Sequence, residues 1–321
     1  MKKQIFLIRC QVIICFLMSC SQLCLAEVFP LPPSDTDLIG KITYTLARQQ
    51  DTLLDIAKQF DIGQTEISIS NSDVDRWLPG ANTKVMLPTR YILPSTNRRG
   101  IVLNIPEMRL YYYPETNPDQ RSVETFPVSI GRMDWQTPLG DAKVIAKTIN
   151  PVWRPPESIK KEHADAGDPL PDVVPAGPDN PLGNYAMRLN IPGYLIHGTN
   201  KPLGIGMRVT HGCVRMYPND IKQLFPKIKV GTKVQIVNQP AKVGWSAEVL
   251  YLEIHPPLEE ESDDSFWLEE QIDQLISEAT ETVPVKLNQQ QINMAIKHKY
   301  GVPVAIGHRI GDALVNLPIR Q

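Results

Sequence analysis

The residues able to do chemistry cluster in one stretch, residues 194–220, YLIHGTNKPLGIGMRVTHGCVRMYPND. It carries His197 and His211, two of only 6 histidines, and Cys213. The apolar run Tyr194-Leu195-Ile196 reads as a buried strand that delivers His197. Gly198, Gly204, Gly206 and Gly212 make the following segment a loop. Pro218-Asn219-Asp220 opens a short helix with Asn219 as its N-cap. A thiol on such a turn can meet a substrate and have its pKa lowered by a neighbouring imidazole. Three chemistries compete for these residues. One is nucleophilic catalysis, with Cys213 attacking and a histidine as base. The second is metal binding by His197, His211 and Cys213, although the spacing fits no paired zinc motif and supplies three ligands only. The third is plain packing, against which Gly212 argues, because a glycine beside the thiol marks a backbone that must come close to something.

The redox context points the same way. The chain has 5 cysteines, and Cys10, Cys15, Cys20 and Cys24 all fall in residues 1–26. That segment reads as an export signal, with Lys2, Lys3 and Arg9 ahead of a short apolar core over 12–18 that is too brief to span a bilayer stably. Cleavage after Ala26 leaves Cys213 as a lone thiol with no internal disulfide partner, the arrangement expected of a reactive cysteine in an exported protein. Leu17-Met18-Ser19-Cys20 offers a second processing route, lipidation at Cys20, which would tether the protein to a membrane. The expected location is the periplasm. A net charge of −2 without a basic stripe argues against a nucleic-acid partner.

The motif His197-Gly198-Thr199, a Gly-rich gap, then Thr210-His211-Gly212-Cys213-Val214-Arg215 resembles the signature of the L,D-transpeptidases, bacterial enzymes that remodel peptidoglycan. Thr210 stands where that family more often has serine, and keeps the hydroxyl. The resemblance implies acyl transfer without cofactor or metal. Cys213 would attack the L-centre carbonyl of diaminopimelate in a tetrapeptide stem and expel D-alanine. An amine would then take the thioester: a lipoprotein lysine or a second diaminopimelate. His197 is the chosen base, with the Gly198 carbonyl orienting its ring and His211 the rival. The N–H groups of Gly212 and Cys213 would form an oxyanion hole. Arg215 would hold a substrate carboxylate, and Thr199 and Trp153 would line the groove. Partners implied are stem peptides, glycan and an outer-membrane lipoprotein. A hydrolase with water as acceptor and a non-catalytic glycan-binding wall protein remain open.

The elements around this stretch fall into successive units. Residues 27–40 form a Pro-rich lead. Residues 41–89 read as strand–helix–helix–strand, with Asp51 as N-cap of the first helix, and DTLLDIAKQF with LPG…KVMLP resembles the lysin motif (LysM), a glycan-binding module. A linker follows. Residues 99–238 are strand-rich with almost no long helix, which predicts a mainly β sandwich or barrel. Their TP-x-G segment at Thr137 and P-x-W-x-PP segment around Trp153 match the same family. Residues 159–184 read as a long irregular loop, of the kind that forms a lid or groove edge. Residues 243–312 predict a small α+β domain with a helix over 266–280 and another over 288–300. This extension resembles that of the periplasmic subgroup that anchors lipoproteins or cross-links stems.

Overall fold

The structure, a computed structural model, describes residues 27–33, 35–115, 121–258, 261 and 265–310. The proposed signal segment therefore lies outside the described residues, as does most of the acidic run over 259–264. Among the described residues no helix is long and apolar enough to cross a membrane.

The amino-terminal part holds β1 (Glu27–Pro30), β2 (Leu38–Gly40), β3 (Thr43–Leu46), α1 (Leu53–Gln59), α2 (Gln64–Ser70), β4 (Lys84–Leu87) and β5 (Arg90–Ile92). The βααβ order matches the sequence reading, and β3 pairs antiparallel with β4. Leu53, Ile56, Ala57, Ile62 and Ile67 bury between the helices and the hairpin. The N-cap of α1 is Thr52, not Asp51. Thr52 and Asp55 form a reciprocal capping box. Asp51 is diverted because its carboxylate takes the Arg48 guanidinium and the Arg48 N–H.

The next elements are β6 (Gly100–Asn104), β7 (Arg109–Tyr113), β8 (Ser122–Gly131), β9 (Gly140–Ile149), α3 (Glu157–Asp165), β10 (Tyr185–Leu189), β11 (Leu195–His197), β12 (Arg208–Thr210), β13 (Val214–Met216), α4 (Pro218–Leu224) and β14 (Lys233–Val237). They build one sheet in the order β1-β8-β13-β11-β10-β9-β14-β6-β7, and a further β7–β8 pairing closes it into a barrel. Alternation fills the interior with Ile101, Leu103, Leu110, Phe126, Val128, Met187, Ile196 and Val214. The opposite faces of β6 and β7 are buried as well. Val102, Tyr111 and Tyr113 pack under Ile39, Tyr91 and Leu93. Those last residues come from the Pro-rich lead and from the linker, to which the sequence reading gave no strand. The two segments instead pair as β2 and β5, because the apolar outer face of β6–β7 needs cover. β1 likewise joins the edge of β8. The long loop expected over 159–184 is partly helical, with α3 anchored by buried Ile159.

The remaining elements, β15 (Ala241–Ser246), β16 (Val249–Ile254), α5 (Ser265–Thr280), β17 (Val285–Leu287), α6 (Gln289–His298) and β18 (Val304–Arg309), form a four-stranded sheet with two helices around Leu250, Leu252, Ile272 and Ile306.

Both flanking units are bolted to the barrel by buried charge. Arg109 of β7 meets Glu66 of α2 at 2.5 Å and lies over Tyr91 at 4.1 Å. On the other side Lys242 Nζ lies 3.0 Å from Glu107 and 2.8 Å from Glu253, which also meets His255 Nε2 at 2.7 Å and accepts from the Ile92 N–H at 2.6 Å. Glu107, Glu253 and His255 are the one grouping among the described residues whose ligand atoms converge closely enough for a metal ion. The Lys242 ammonium already supplies its positive charge.

Candidate active site

Two neighbouring parallel strands bring the motif together. β11 and β13 pair with Ile196 opposite Val214 and His197 opposite Arg215. Ile196, Val214 and Met216 point into the barrel core. Side chains alternate along a strand, so His197 and Arg215 share the other face, and Cys213, two residues before Arg215, falls on it too. The Arg215 charge is close enough to perturb both His197 and Cys213.

His197 is buried, and its Nδ1 lies 2.6 Å from the carbonyl oxygen of Gly198. A carbonyl only accepts, so Nδ1 carries the proton and Nε2 keeps the lone pair. Burial, helped by the Arg215 charge, pushes the imidazole down to about 3, against the pull of the Gly198 and Leu182 carbonyls. His197 is therefore neutral at physiological pH and able to accept a proton.

The turn before β13 is fixed from several sides. Gly212 has φ +96, and a Cβ there would sit 2.6 Å from Cε1 of Tyr194. Only glycine suits both demands. Thr137 Oγ1 accepts from Gly131 N–H and donates to the Gly212 carbonyl at 2.8 Å. Thr210 Oγ1 donates to the Cys213 carbonyl at 2.6 Å. With both carbonyls held, the orientations of the peptide planes around Cys213 are set. Neither the Gly212 nor the Cys213 N–H is used among the turn and loop hydrogen bonds. Of these contacts, Tyr194 over Gly212 was foreshadowed by the glycine beside the thiol, and Thr137 by its TP-x-G segment.

The thiol does not match the sequence expectation. Cys213 is half-buried, and its Sγ lies 3.5 Å from the Gly193 carbonyl. Burial raises its pKa, and the Leu195 N–H and the Arg215 charge offset this only in part. The resting pair is thus neutral thiol and neutral imidazole. For His197 to lower the thiol pKa it would have to be an imidazolium, and the buried ring is not one. Alkylation of the resting enzyme by iodoacetamide should accordingly climb through the alkaline range, without a plateau near neutrality. Replacing Arg215 by methionine should move the midpoint still higher, and a neutral-pH plateau would contradict this electrostatic picture.

His211 is turned elsewhere. Its Nε2 lies 3.1 Å from Glu162 Oε2, and its ring meets the edge of Trp135 at 5.2 Å. Burial lowers its pKa, with Glu162 opposing. Arg132 donates to the same Glu162 oxygen at 2.6 Å. Glu162, Arg132 and Trp135 went unnoticed in the sequence, where they carry no motif; Glu162 lies in a polar run, SIKKEHAD, that nothing distinguishes. Thr199 is buried and accepts from Lys201 N–H, so it shapes the loop after His197. Trp153 exchanges two backbone hydrogen bonds with Val174, closing the base of the excursion that holds α3. Asn219 lies in the first turn of α4, which starts instead with Pro218 after Tyr217, since proline suits the first helical position.

The loop between His197 and Cys213 also carries the amino-terminal module. Gln64 N–H and Thr65 N–H, at the start of α2, donate to the carbonyls of Ile205 and Gly206 at 3.0 and 3.1 Å. Tyr217 Oη donates to the Ile62 carbonyl. Asp61 and Asp220 face one another there. Burial and the neighbouring Asp61 carboxylate raise the Asp220 pKa well above the usual carboxylate range.

Comparison with known proteins shows the family. Residues 98–236 match the YkuD family, the L,D-transpeptidase catalytic domain. The chain is 42% identical over 247 residues to the probable L,D-transpeptidase YcfS of Escherichia coli K12, covering 74% of this chain and 76% of that protein. It is 38% identical over 304 residues to the probable L,D-transpeptidase ErfK/SrfK of the same organism, covering 90% and 94%. YbiS, another probable L,D-transpeptidase from E. coli K12, is 38% identical over 288 residues, covering 88% and 92%. Similarity of this depth along nearly the full length of both chains makes the protein a member of the L,D-transpeptidase family.

Proposed function

We propose that this enzyme acts on tetrapeptide stems of peptidoglycan through a Cys213 thioester. The observation that carries the reading is the His197–Gly198 contact, which leaves Nε2 unprotonated on the face shared with Cys213. In the first step His197 takes the thiol proton as sulfur adds to the diaminopimelate L-centre carbonyl. The C–N bond breaks, the proton passes to the departing amine, and D-alanine leaves. In the second step an amine gives its proton to His197 and attacks the thioester, the C–S bond breaks as the new amide forms, and His197 returns the proton to the Cys213 sulfur. The free N–H groups of Gly212 and Cys213 bind the oxyanion in both steps. Arg215 acts here through its charge, steadying the sulfur as it becomes a thiolate.

The acceptor assigned is a lysine side chain of an outer-membrane lipoprotein, with a second diaminopimelate as the other amine of matching reach. The enzyme works in the periplasm, after cleavage behind Ala26. The βααβ module contacts the glycan, and the exposed Trp77 and Leu78 on its α2–β4 loop are suited to sugar faces.

The test is intact-protein mass spectrometry after mixing with a purified disaccharide tetrapeptide. The wild-type protein should gain the disaccharide tripeptide acyl group and release D-alanine, and addition of a lysine-ending peptide should discharge it. Cys213→Ala should do neither. Release that survives this substitution would eliminate the assignment. Discharge by water at the same rate as by amine would make the enzyme a hydrolase.

A further inference from the structure

Glu162 stands apart from the rest of α3. The helix is an excursion between β9 and β10, and Trp153 and Val174 close its base. Most of its side chains are exposed. Glu162, however, reaches to the rim of the catalytic turn, where Arg132 and His211 both donate to a single oxygen, Oε2. These two donors directly follow the barrel strands β8 and β12. Arg132 N–H donates to the Thr210 carbonyl at 3.1 Å, one residue before His211. The preceding Gly131 packs so tightly that a Cβ would meet the Trp135 carbonyl oxygen at 1.9 Å and Gly212 Cα at 3.0 Å. Arg132 Nε is buried and has no partner, so the guanidinium keeps a donor to spare. Trp135 walls the His211 ring on one side. The result is a built carboxylate cradle beside the nucleophile, filled by a side chain from a peripheral helix.

We propose that Arg132 and His211 form the subsite for the free carboxylate of the acyl donor's terminal residue, and that Glu162 is an internal stand-in displaced when substrate binds. The inference rests on the tetrapeptide-donor reading above. In that donor the only charged group on the departing residue, other than the amine being released, is its carboxylate. It lies one residue beyond the attacked carbonyl, which is the spacing a cradle on the rim of the Gly212–Cys213 turn serves. A guanidinium and an imidazole N–H suit a carboxylate whether or not His211 is protonated. No covalent step is added. One carboxylate replaces another, and α3 moves off its latch as the donor enters. Arg132 and His211 thereby become specificity determinants, and Glu162 sets how much of the free enzyme is ready for substrate.

The experiment compares two donors, a disaccharide tetrapeptide with a free terminal carboxylate and the same molecule with a terminal amide. Release of the terminal residue is followed for wild type, Arg132→Met and Glu162→Gln, with thermal midpoints recorded for each. The wild-type protein should prefer the acid by roughly tenfold or more in kcat/KM, the size expected for losing a charge-assisted hydrogen bond. Arg132→Met should lose that preference by falling on the acid and holding on the amide, which a folding defect would not do. Glu162→Gln should lower KM for the acid by about three- to tenfold, because the competing carboxylate no longer occupies the site. Equal handling of both donors by the wild type would overturn the proposal. So would an equal loss on both donors in Arg132→Met, or an unchanged or raised KM in Glu162→Gln. No release from either donor by the wild-type protein would sink the tetrapeptide reading itself, and the subsite with it.

Discussion

His197→Ala should slow thioester formation by roughly a thousandfold, the scale of a lost general base, whereas His211→Ala should cost about tenfold and act mainly through KM. The two histidines differ in what their ring nitrogens are doing. His197 holds its proton on Nδ1 against the Gly198 carbonyl, so Nε2 carries the lone pair. Burial keeps it neutral, so it can accept the thiol proton whenever substrate arrives. His211 has its Nε2 committed to Glu162 and its ring against Trp135, on the side where the cradle lies. Single-turnover measurements of D-alanine release separate the two, because acylation is read before any acceptor is needed. A severe His211→Ala with a mild His197→Ala would reverse the roles. The acid side of the pH profile is a second discriminator. His197 gains its proton only around pH 3, so loss of rate between pH 5 and 7 would have to come from another group.

The second large effect concerns stability. Lys242→Met should destabilise the protein by about 3–5 kcal/mol in urea unfolding, the usual cost of stranding a buried charge. Lys242 bonds to Glu107, Glu253 and the Ile92 carbonyl, and all of these groups are buried. Burial alone would raise the Glu253 pKa, but Lys242, His255 and the Ile92 N–H bring it below its ordinary value. A carboxyl depressed on folding contributes stability that is present above its unfolded pKa and fades as pH falls through the lower folded value. Removing Lys242 removes that contribution. The variant's deficit should therefore be full at neutral pH and shrink as Glu253 becomes protonated in acid. A deficit independent of pH would mean that packing, not charge, holds this joint. Lys242→Met combined with Glu253→Gln should be milder than Lys242→Met alone, since it strands one carboxylate fewer.

Much of the catalytic unit could be read from residue pattern because local signals and the barrel agree there. The apolar triplet before His197 and the glycines around Cys213 are local demands, and the fold meets them with β11 and a left-handed Gly212. The readings that failed depended on distant partners. Asp51 gave way to Thr52 because Arg48 captured its carboxylate. The linker at Arg90–Ile92 became a strand because β2 lay ready to pair with it over an apolar surface. The thiol pKa went the opposite way because pattern reveals a neighbouring histidine but not how dry its surroundings are. Glu162 was invisible for the same kind of reason: nothing near it in the chain foretells two donors supplied by β8's end and the Cys213 turn.

The seam between α2 and the Ile205–Gly206 segment bears on how the enzyme should be handled. A fragment trimmed to the barrel would leave those two carbonyls without their Gln64 and Thr65 donors and would strip Glu66 from Arg109. The stretch so uncovered runs directly into the Cys213 turn. Inhibitor screens run on such a shortened protein would sample a catalytic loop whose scaffolding had been cut away, and compounds selected there would be matched to a shape the intact enzyme does not hold.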